Sequence, residues 1–286
     1  MDLDRLRSFL EIADAGSFSI AADRLHVTQS TISSRIQRLE AEVGQRLLQR
    51  GRGGTELTRA GAAFQPQARR IVQLWEQARQ QAALPPGIHD IFRLGGPVAL
   101  WDGVIARWVA WMRRNAPVVA LHLEGSYSEM LFDQLSNGLL DAAIMYQPRH
   151  RAHVVVETLL QEELVLVAHP ALQGPWHGNY VLIDWGEEFS AAHQQAFPGI
   201  GPPAVTAGLG VLGVRYIQDL RASGYIPAVT AQPLIAAGSL VLVGGAPRFS
   251  RAVYAAYPAQ PRAPEVLALA LAGLRSLSQT ASPGSA

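Results

Sequence analysis

Apolar residues recur at helical intervals over the first ninety or so positions and gather into short runs after that. In SFSIAADRLHVTQSTISSRIQRLEAEVG, Ser17 is suited to cap a short helix whose apolar face is Ala21, Ala22 and Leu25. His26-Val27 interrupts the pattern, and Thr28 caps a second helix with Ile32, Ile36, Leu39 and Val43 on one stripe. Two helices across a tight break predict a helix-turn-helix. After the Gly-rich turn RGRGGTELT a long helix is predicted from Thr58 to about Ala83, ended by Leu84-Pro85-Pro86-Gly87. Its Phe64, Ala68, Ile71, Trp75, Ala78 and Ala82 follow spacings of 4, 3, 4, 3 and 4, a heptad seam for pairing with a second copy of the chain or for packing on its own domain. Pro66 should bend the first turns or delay the helix start. From about His89, apolar runs such as LVLVAHP and LVLVGG alternate with helical stretches such as GVIARWVAWMRR, which predicts an α/β sheet with helices on its faces.

The length of 286 residues allows two or three domains, and the absence of cysteine excludes disulfides, thiolate metal sites and cysteine nucleophiles. The N-terminus has no apolar segment of the kind that directs secretion, and no apolar run is long enough to span a bilayer. A soluble protein of the cytoplasm, at the nucleoid, with no membrane partner, is therefore expected. Residues 1–86 carry 12 Arg against 9 acids, a net of +3, and the remainder carries −2, so only the front end hints at a polyanion.

The face of the second helix opposite its apolar stripe presents Gln29, Ser30, Ser33, Ser34, Arg35 and Arg38. Gln pairs with adenine and Arg with guanine in the major groove, and hydroxyls reach bases or phosphates. Ser17 and Thr28 join this set at the helix starts, and Arg50 and Arg52 are placed like a wing along the phosphate backbone. The same residues would also serve as the solvated face of an ordinary helical domain.

The stretch LRSFLEIADAGSFSIAADRLHVTQSTISSRIQRLEAEVGQRLLQRGRGGTELTRAG resembles the N-terminal signature of LysR-type transcriptional regulators almost position by position. Ala21-Ala22, Leu25, Thr28-Gln29, Ser33, Ile36, Leu39-Glu40, Gly44, Leu47, Arg50, Leu57-Thr58 and Gly61 carry the resemblance. Ser30 departs from a frequent Pro, and Leu48 from the usual Phe. Leu100-Trp101, Trp108 and DWGEEF resemble the HdfR-type branch. The resemblance implies an α+β multidomain chain: a winged helix-turn-helix (1–59), a dimerising linker helix and hinge (60–87), and an effector domain with the fold of periplasmic binding proteins (88–286). That domain would divide into subdomain I (about 88–161 and 258–280) and subdomain II (about 162–257), with crossings near Leu160 to Leu164 and Ala252 to Tyr257 and a small-molecule cleft between them. The implied partners are double-stranded DNA with a pseudo-palindromic operator, a small-molecule effector, a second copy in a dimer or tetramer, and RNA polymerase.

Relatives that sense carboxylates often have Ser or Thr in the turn occupied here by Pro97, Val98, Ala99 and Leu100. With Trp101, Tyr127, Tyr146 and Tyr225 expected nearby and Ser126 as a polar handle, an uncharged or aromatic effector is expected. Opposite stands AVTAGLGVLGVRYIQ, where Gly208, Gly210 and Gly213 spell the dinucleotide pattern G-x-G-x-x-G. Dinucleotide binding is rejected because no acid occurs from Leu220 to Pro264 and Pro202-Pro203 stands where a feeding strand should be. Gly208, Leu209 and Gly210 are read instead as a structural turn or a cleft-lining loop at a helix start.

Enzymatic signals are weak. His150 and His153 form H-x-x-H without a third ligand, Glu162-Glu163 and Glu187-Glu188 are adjacent rather than facing carboxylates, and no G-x-S-x-G occurs. No catalytic residue, metal or cofactor is expected. The second reading of the whole chain is a ligand-binding module whose helical front serves oligomerisation without DNA binding.

Overall fold

The computed structural model describes residues 2–51, 54–149 and 151–279. The chain forms two compact units, Met1–Pro85 and Pro86–Ala286.

In the first unit, α1 (Leu3–Ala15), α2 (Phe18–Arg24) and α3 (Gln29–Val43) pack around Leu6, Phe9, Ile12, Ala21, Ile32 and Ile36. Each helix start is capped by a side-chain oxygen, from Asp2, Ser17 and Thr28, which answers backbone N–H groups that have no helical acceptor. α1 and α3 end on Gly16 and Gly44 in the left-handed conformation. The apolar stripe of α3 is shorter than its spacing suggested, because Val43 lies in the last turn and is 38% exposed. A hairpin of β1 (Leu48–Gly51) and β2 (Gly54–Leu57) forms the wing. Its entry is fixed by Glu40, whose carboxylate accepts from Leu47 N at 2.7 Å and Leu48 N at 3.1 Å.

α4 (Arg59–Ala82) runs through Pro66, so the proline does not delay the start. Gly61 lies in its first turn, where a Cβ would stand 2.0 Å from the carbonyl oxygen of Leu47. Gly61→Ala is therefore expected to destabilise this unit by about 1–3 kcal/mol through overpacking, against the gain that helix propensity alone predicts. Urea unfolding of the full chain checks the sign.

The second unit is built on a seven-stranded sheet in the order β10-β6-β11-β5-β3-β4, with β9 also paired to β6. Strands β3 (Asp90–Gly96), β4 (Val119–Gly125) and β5 (Ala142–Met145) are parallel. Helices α5 (Ala106–Asn115), α6 (Ser128–Ser136) and α10 (Pro264–Gln279) accompany them. The long antiparallel strands β6 (Val154–Ala168) and β11 (Phe249–Pro258) continue past this region. Beyond them lie β7 (Val181–Ile183), α7 (Glu187–Ala196), β8 (Val205–Ala207), α8 (Gly210–Asp219), β9 (Ser223–Pro227), α9 (Ala228–Ala236) and β10 (Val241–Leu242).

Two apolar cores result. The first holds Phe92, Trp108, Leu159, Val253 and Leu271, and the second holds Leu164, Ile183, Trp185, Ile217 and Tyr225 with Phe249 against it. The two lobes thus exchange chain between Leu160 and Leu164, and between Phe249 and Val253. The latter lies earlier than Ala252 to Tyr257, because Tyr254 to Ala256 pair with β5 in the first lobe.

In the second core His193 is buried, with its Nε2 3.0 Å from the Tyr180 hydroxyl and with Phe189, Phe197 and Tyr225 around it. Burial lowers its pKa from the ordinary value. The unfolded chain then takes up the proton first, so His193 costs stability as the pH falls below about 6.5. Thermal unfolding of His193→Phe should show a shallower loss between pH 7 and 5 than the parent chain.

Candidate nucleic-acid interface and effector cleft

The turn between α2 and α3 is tight enough to place His26 at φ +52°, and the first residues of α3, Gln29 to Thr31, are exposed. Ser17 and Thr28 spend their hydroxyl oxygens as caps, accepting from Ile20 N at 3.4 Å and Thr31 N at 3.2 Å. Thr28 also shares hydrogen bonds with Ser30 (2.9 Å) and Thr31 (2.8 Å). Gln29, Ser30 and Arg38 are exposed, and Ser33 and Ser34 are half-buried.

Arg35 behaves differently. Its guanidinium turns onto α1, donating to Ser8 Oγ at 3.3 Å and pairing with Asp4 at 3.2 Å. Among the described residues no carboxylate pairs with Arg38 or with Arg50 on β1, so both present uncompensated charge. Arg52 lies outside the described residues. A depression of about 380 Å³ runs between the N-terminus of α1 and α3, lined by Asp2, Arg5, Ser30, Thr31, Ser34, Arg35 and Arg38. Thr31 and Gln37 share this exposed face and escaped the sequence reading, although the spacings 31 to 34 to 38 and 29 to 33 to 37 place them there.

The seam of α4 divides. Phe64, Ala68 and Ile71 pack inward, with the Phe64 ring 5.5 Å from Phe9, because α1 covers the first half of the helix. Arg69 pairs with Asp14 at 2.9 Å and Arg7 with Glu76 along the edges of that contact. Beyond it Leu74 (40%) and Trp75 (50%) are exposed, as are Ala78 and Ala82.

In the second unit, the turn after β3, Val98–Leu100, lies against α8, and Ala99 packs on the second core. Val98 (42% exposed), Tyr127 (65%) and Leu209 (41%) stand at the surface, with Ser126 and Trp101 half-buried. The indole of Trp101 donates to the Gly96 carbonyl at 3.2 Å and lies over Gly125. Two expected cleft residues are core residues instead. Leu100 is 2% exposed in the first core. Tyr225 is fully buried, its ring 4.9 Å from Phe249 and its hydroxyl donating to the Pro247 carbonyl at 2.9 Å. Strand β9 is covered on both faces, so no residue of it reaches open cleft.

The glycine pattern has a packing explanation. A Cβ at Gly210 would stand 2.4 Å from the Trp185 ring, and one at Gly213 2.4 Å from Ile183, so α8 approaches its neighbours as only glycine allows. Gly208 faces open space.

Between the lobes lies a polar cluster that the sequence did not reveal. Arg251 on β11 is opposite Glu162 on β6, and both are about 7% exposed. Arg251 Nε donates to Glu162 at 2.6 Å, Nη2 to the Tyr146 hydroxyl at 2.7 Å, and Nη1 to the Trp185 carbonyl at 3.2 Å. The guanidinium carbon lies 3.7 Å from the Tyr146 ring centre and 4.6 Å from that of Trp185. Tyr146 donates in turn to Glu162 at 3.3 Å. Burial, and then the Glu162 carboxylate, push the Tyr146 hydroxyl far above the ordinary tyrosine range, so it stays a donor. Tyr146 follows β5 of the first lobe and Trp185 belongs to the second, so one cation ties the lobes together with every charge answered.

Glu187 and Glu188 occupy the first turn of α7, a favourable place for carboxylates. His150 lies outside the described residues, and His153 is exposed. Among the described residues no cluster of three His, Cys, Asp or Glu could hold a metal, and no helix is long and apolar enough to cross a membrane.

Residues 3–62 match the family described as bacterial regulatory helix-turn-helix protein, lysR family, and residues 86–196 match the LysR substrate binding domain. The HTH-type transcriptional regulator HdfR of Escherichia coli O45:K1 is 28% identical over 259 residues, spanning 89% of this chain and 91% of that protein. HdfR of Salmonella newport is 26% identical over 258 residues with the same shares. The crystal structure of CbnR, a LysR family regulator, superposes with a TM-score of 0.72 at 22% identity, over 97% of this chain and 99% of that one. Full-length CbnR in complex with its target DNA gives 0.71 at 22%, over 97% and 100%. ArgP from Mycobacterium tuberculosis gives 0.57 at 20%, over all of both chains.

Proposed function

The chain belongs to the LysR family, a transcription regulator with a DNA-binding helix-turn-helix and an effector-binding domain rather than an enzyme, and from that premise we propose how it reads DNA and what it senses. α3 enters the major groove with Gln29, Ser30, Ser33 and Ser34 toward the bases, while Arg38 and Arg50 engage phosphates. The observation that carries this reading is the uncompensated charge of Arg38 and Arg50 beside an exposed polar face of α3. Arg35 reads a base only after releasing Asp4, or else positions α3 on α1.

Two copies pair through the exposed end of α4, residues Leu74, Trp75, Ala78 and Ala82, and so present two recognition helices to a pseudo-palindrome. Trp75→Glu places a charge in that seam and is expected to give monomers in sedimentation equilibrium at concentrations where the parent chain is a dimer. A second association, to tetramers, uses the exposed apolar face of α8 and its C-cap, where Leu212, Tyr216 and Leu220 are exposed in one chain. The working division is 1–59, 60–87 and 88–286, and the protein acts in the cytoplasm on nucleoid DNA.

The effector sits between Val98, Trp101, Ser126 and Tyr127 on one side and Gly208 to Gly210 on the other. It is uncharged or aromatic, because the rim is apolar and the cation at the floor is already neutralised by Glu162. Its binding favours one angle between the lobes, which changes the packing of dimers on bent DNA and the access of RNA polymerase. Selection of duplexes from a randomised pool tests the reading. It should enrich a pseudo-palindrome with half-sites about one helical turn apart, and a pool that stays unenriched contradicts it.

A further inference from the structure

Arg35 is the first charged residue of α3, and it does not reach outward. It stands three positions after Ile32 and one before Ile36, at the border of the buried stripe. From there a guanidinium can lie on α1 or swing out along the polar face, where Thr31, Ser34 and Arg38 line the same depression. The contacts that hold it inward close a ring around one residue. Nη2 donates to Asp4 Oδ2 at 3.2 Å, and Nη1 donates to Ser8 Oγ at 3.3 Å. The Ser8 hydroxyl is fully buried and donates to the Asp4 backbone carbonyl at 2.7 Å, which leaves its lone pairs for the arginine.

Asp4 is itself braced. Its other carboxylate oxygen faces Arg7 at 3.5 Å, and Arg7 donates to Glu76 of α4. Alternating charges thus run Arg35, Asp4, Arg7, Glu76 from the recognition helix to the linker helix, and both oxygens of Asp4 are engaged. An isolated exposed ion pair is weak, but release of this one carries a penalty that grows at the DNA surface. Asp4 is exposed beside the face proposed to meet phosphate. Without Arg35 its carboxylate would stand there answered by Arg7 alone, and like charges across an interface oppose docking.

We infer that Asp4 sets the sequence specificity of this regulator by withholding Arg35 from the bases. The ring keeps the guanidinium on α1, so each half-site is read by Gln29, Ser30, Ser33 and Ser34 and contains no guanine contacted by Arg35. This inference rests on the proposed docking of α3 in the major groove. Asp4 is a positioning residue, acting through Arg35 rather than by touching DNA. Freed from Asp4, Arg35 supplies the donor fork that matches O6 and N7 of guanine in two hydrogen bonds.

Selection of duplexes from a randomised pool by the full chain, followed by anisotropy on the selected duplexes, tests this with the parent chain and four variants. Asp4→Ala should enrich the parent motif with a guanine added at one symmetry-related position of each half-site, preferred about tenfold over other bases. Asp4→Ala combined with Arg35→Met should lose that guanine. Asp4→Glu, whose carboxylate still reaches the guanidinium, should keep the parent motif. Arg35→Met alone leaves Asp4 unanswered on its outer side, so it should weaken binding to all duplexes alike without deleting a base from the motif. Impaired folding lowers affinity for every duplex and cannot create a base preference, so the added guanine reports on Arg35 itself. Selection of the unaltered parent motif by Asp4→Ala overturns the inference, because the carboxylate then contributes net charge alone. So does loss of a base from the motif in Arg35→Met, which would show that Arg35 already reads DNA in the parent chain. A parent chain that enriches no motif contradicts the docking of α3, and the role of Asp4 falls with it.

Discussion

Ser34→Glu is expected to lower operator affinity about 100-fold, or 2.7 kcal/mol, with no change in the unfolding temperature of the helix-turn-helix unit. Ser34 lies in the depression between Arg5, Arg35 and Arg38, on the face of α3 proposed to meet DNA. A glutamate there stands four residues before Arg38, the orientation that stabilises a helix by a few tenths of a kcal/mol. Folding is therefore spared. At the groove the same carboxylate neutralises Arg38 and repels phosphate, so the salt dependence of binding should also flatten, by about one unit of slope for each phosphate no longer engaged. Ser34→Ala, which only removes a hydroxyl, should cost far less. Fluorescence anisotropy with an operator duplex at several salt concentrations separates the two variants, and equal affinity of Ser34→Glu and the parent would place this face away from DNA.

The second large effect is in the effector domain. Glu162→Gln keeps the shape of the side chain but leaves the Arg251 guanidinium buried with only neutral acceptors, Tyr146 and the Trp185 carbonyl. Removing one partner of a buried ion pair costs about 3–5 kcal/mol, whereas replacing both by apolar groups is often neutral. Glu162→Gln alone should thus lower the effector-domain transition by roughly 10 °C, and Glu162→Gln combined with Arg251→Met should recover most of that loss. Differential scanning calorimetry of the full chain reads both. If the double variant is as unstable as the single one, the pair contributes through shape rather than charge.

What the sequence disclosed follows the range of the interactions. Caps, glycine stops and i, i+4 stripes are decided within a few residues, so α2, the turn at His26-Val27 and α3 were legible from Ser17, Thr28 and Ile32 to Leu39. The long helix was equally legible, but not the split of its seam. Whether Phe64 and Ala68 meet α1 or a second chain depends on a tertiary contact with Phe9 that no local spacing encodes. The same holds for Arg35, whose spacing assigns it to the polar face while Asp4 and Ser8 take its guanidinium.

In the second unit the alternation of runs and helices pointed to a sheet domain, yet strand order and register stayed hidden. Glu162 and Arg251 are 89 positions apart and meet only because β6 and β11 pair antiparallel in one register, with a bulge at Val253 and Tyr254. Glu162 therefore read as half of an adjacent acidic pair. Tyr225 was expected at the cleft together with the other aromatics, but β9 is covered on both faces. Gly210 and Gly213 matched a phosphate-binding pattern while their real constraint is the approach of α8 to Trp185 and Ile183.

Recognition of a specific DNA sequence by α3 underlies everything else proposed for this regulator. Fluorescence anisotropy of a labelled duplex taken from the DNA just upstream of this protein's own gene puts it to the test, with the parent chain and Gln29→Ala compared on that duplex and on a scrambled one across salt. Tight, salt-dependent binding is expected that exceeds the scrambled duplex and falls about 10- to 100-fold in Gln29→Ala, the loss of one bidentate base pairing. Absence of binding to either duplex at low salt would overturn this recognition mode and leave a ligand-binding module whose helical front serves only to join copies of the chain.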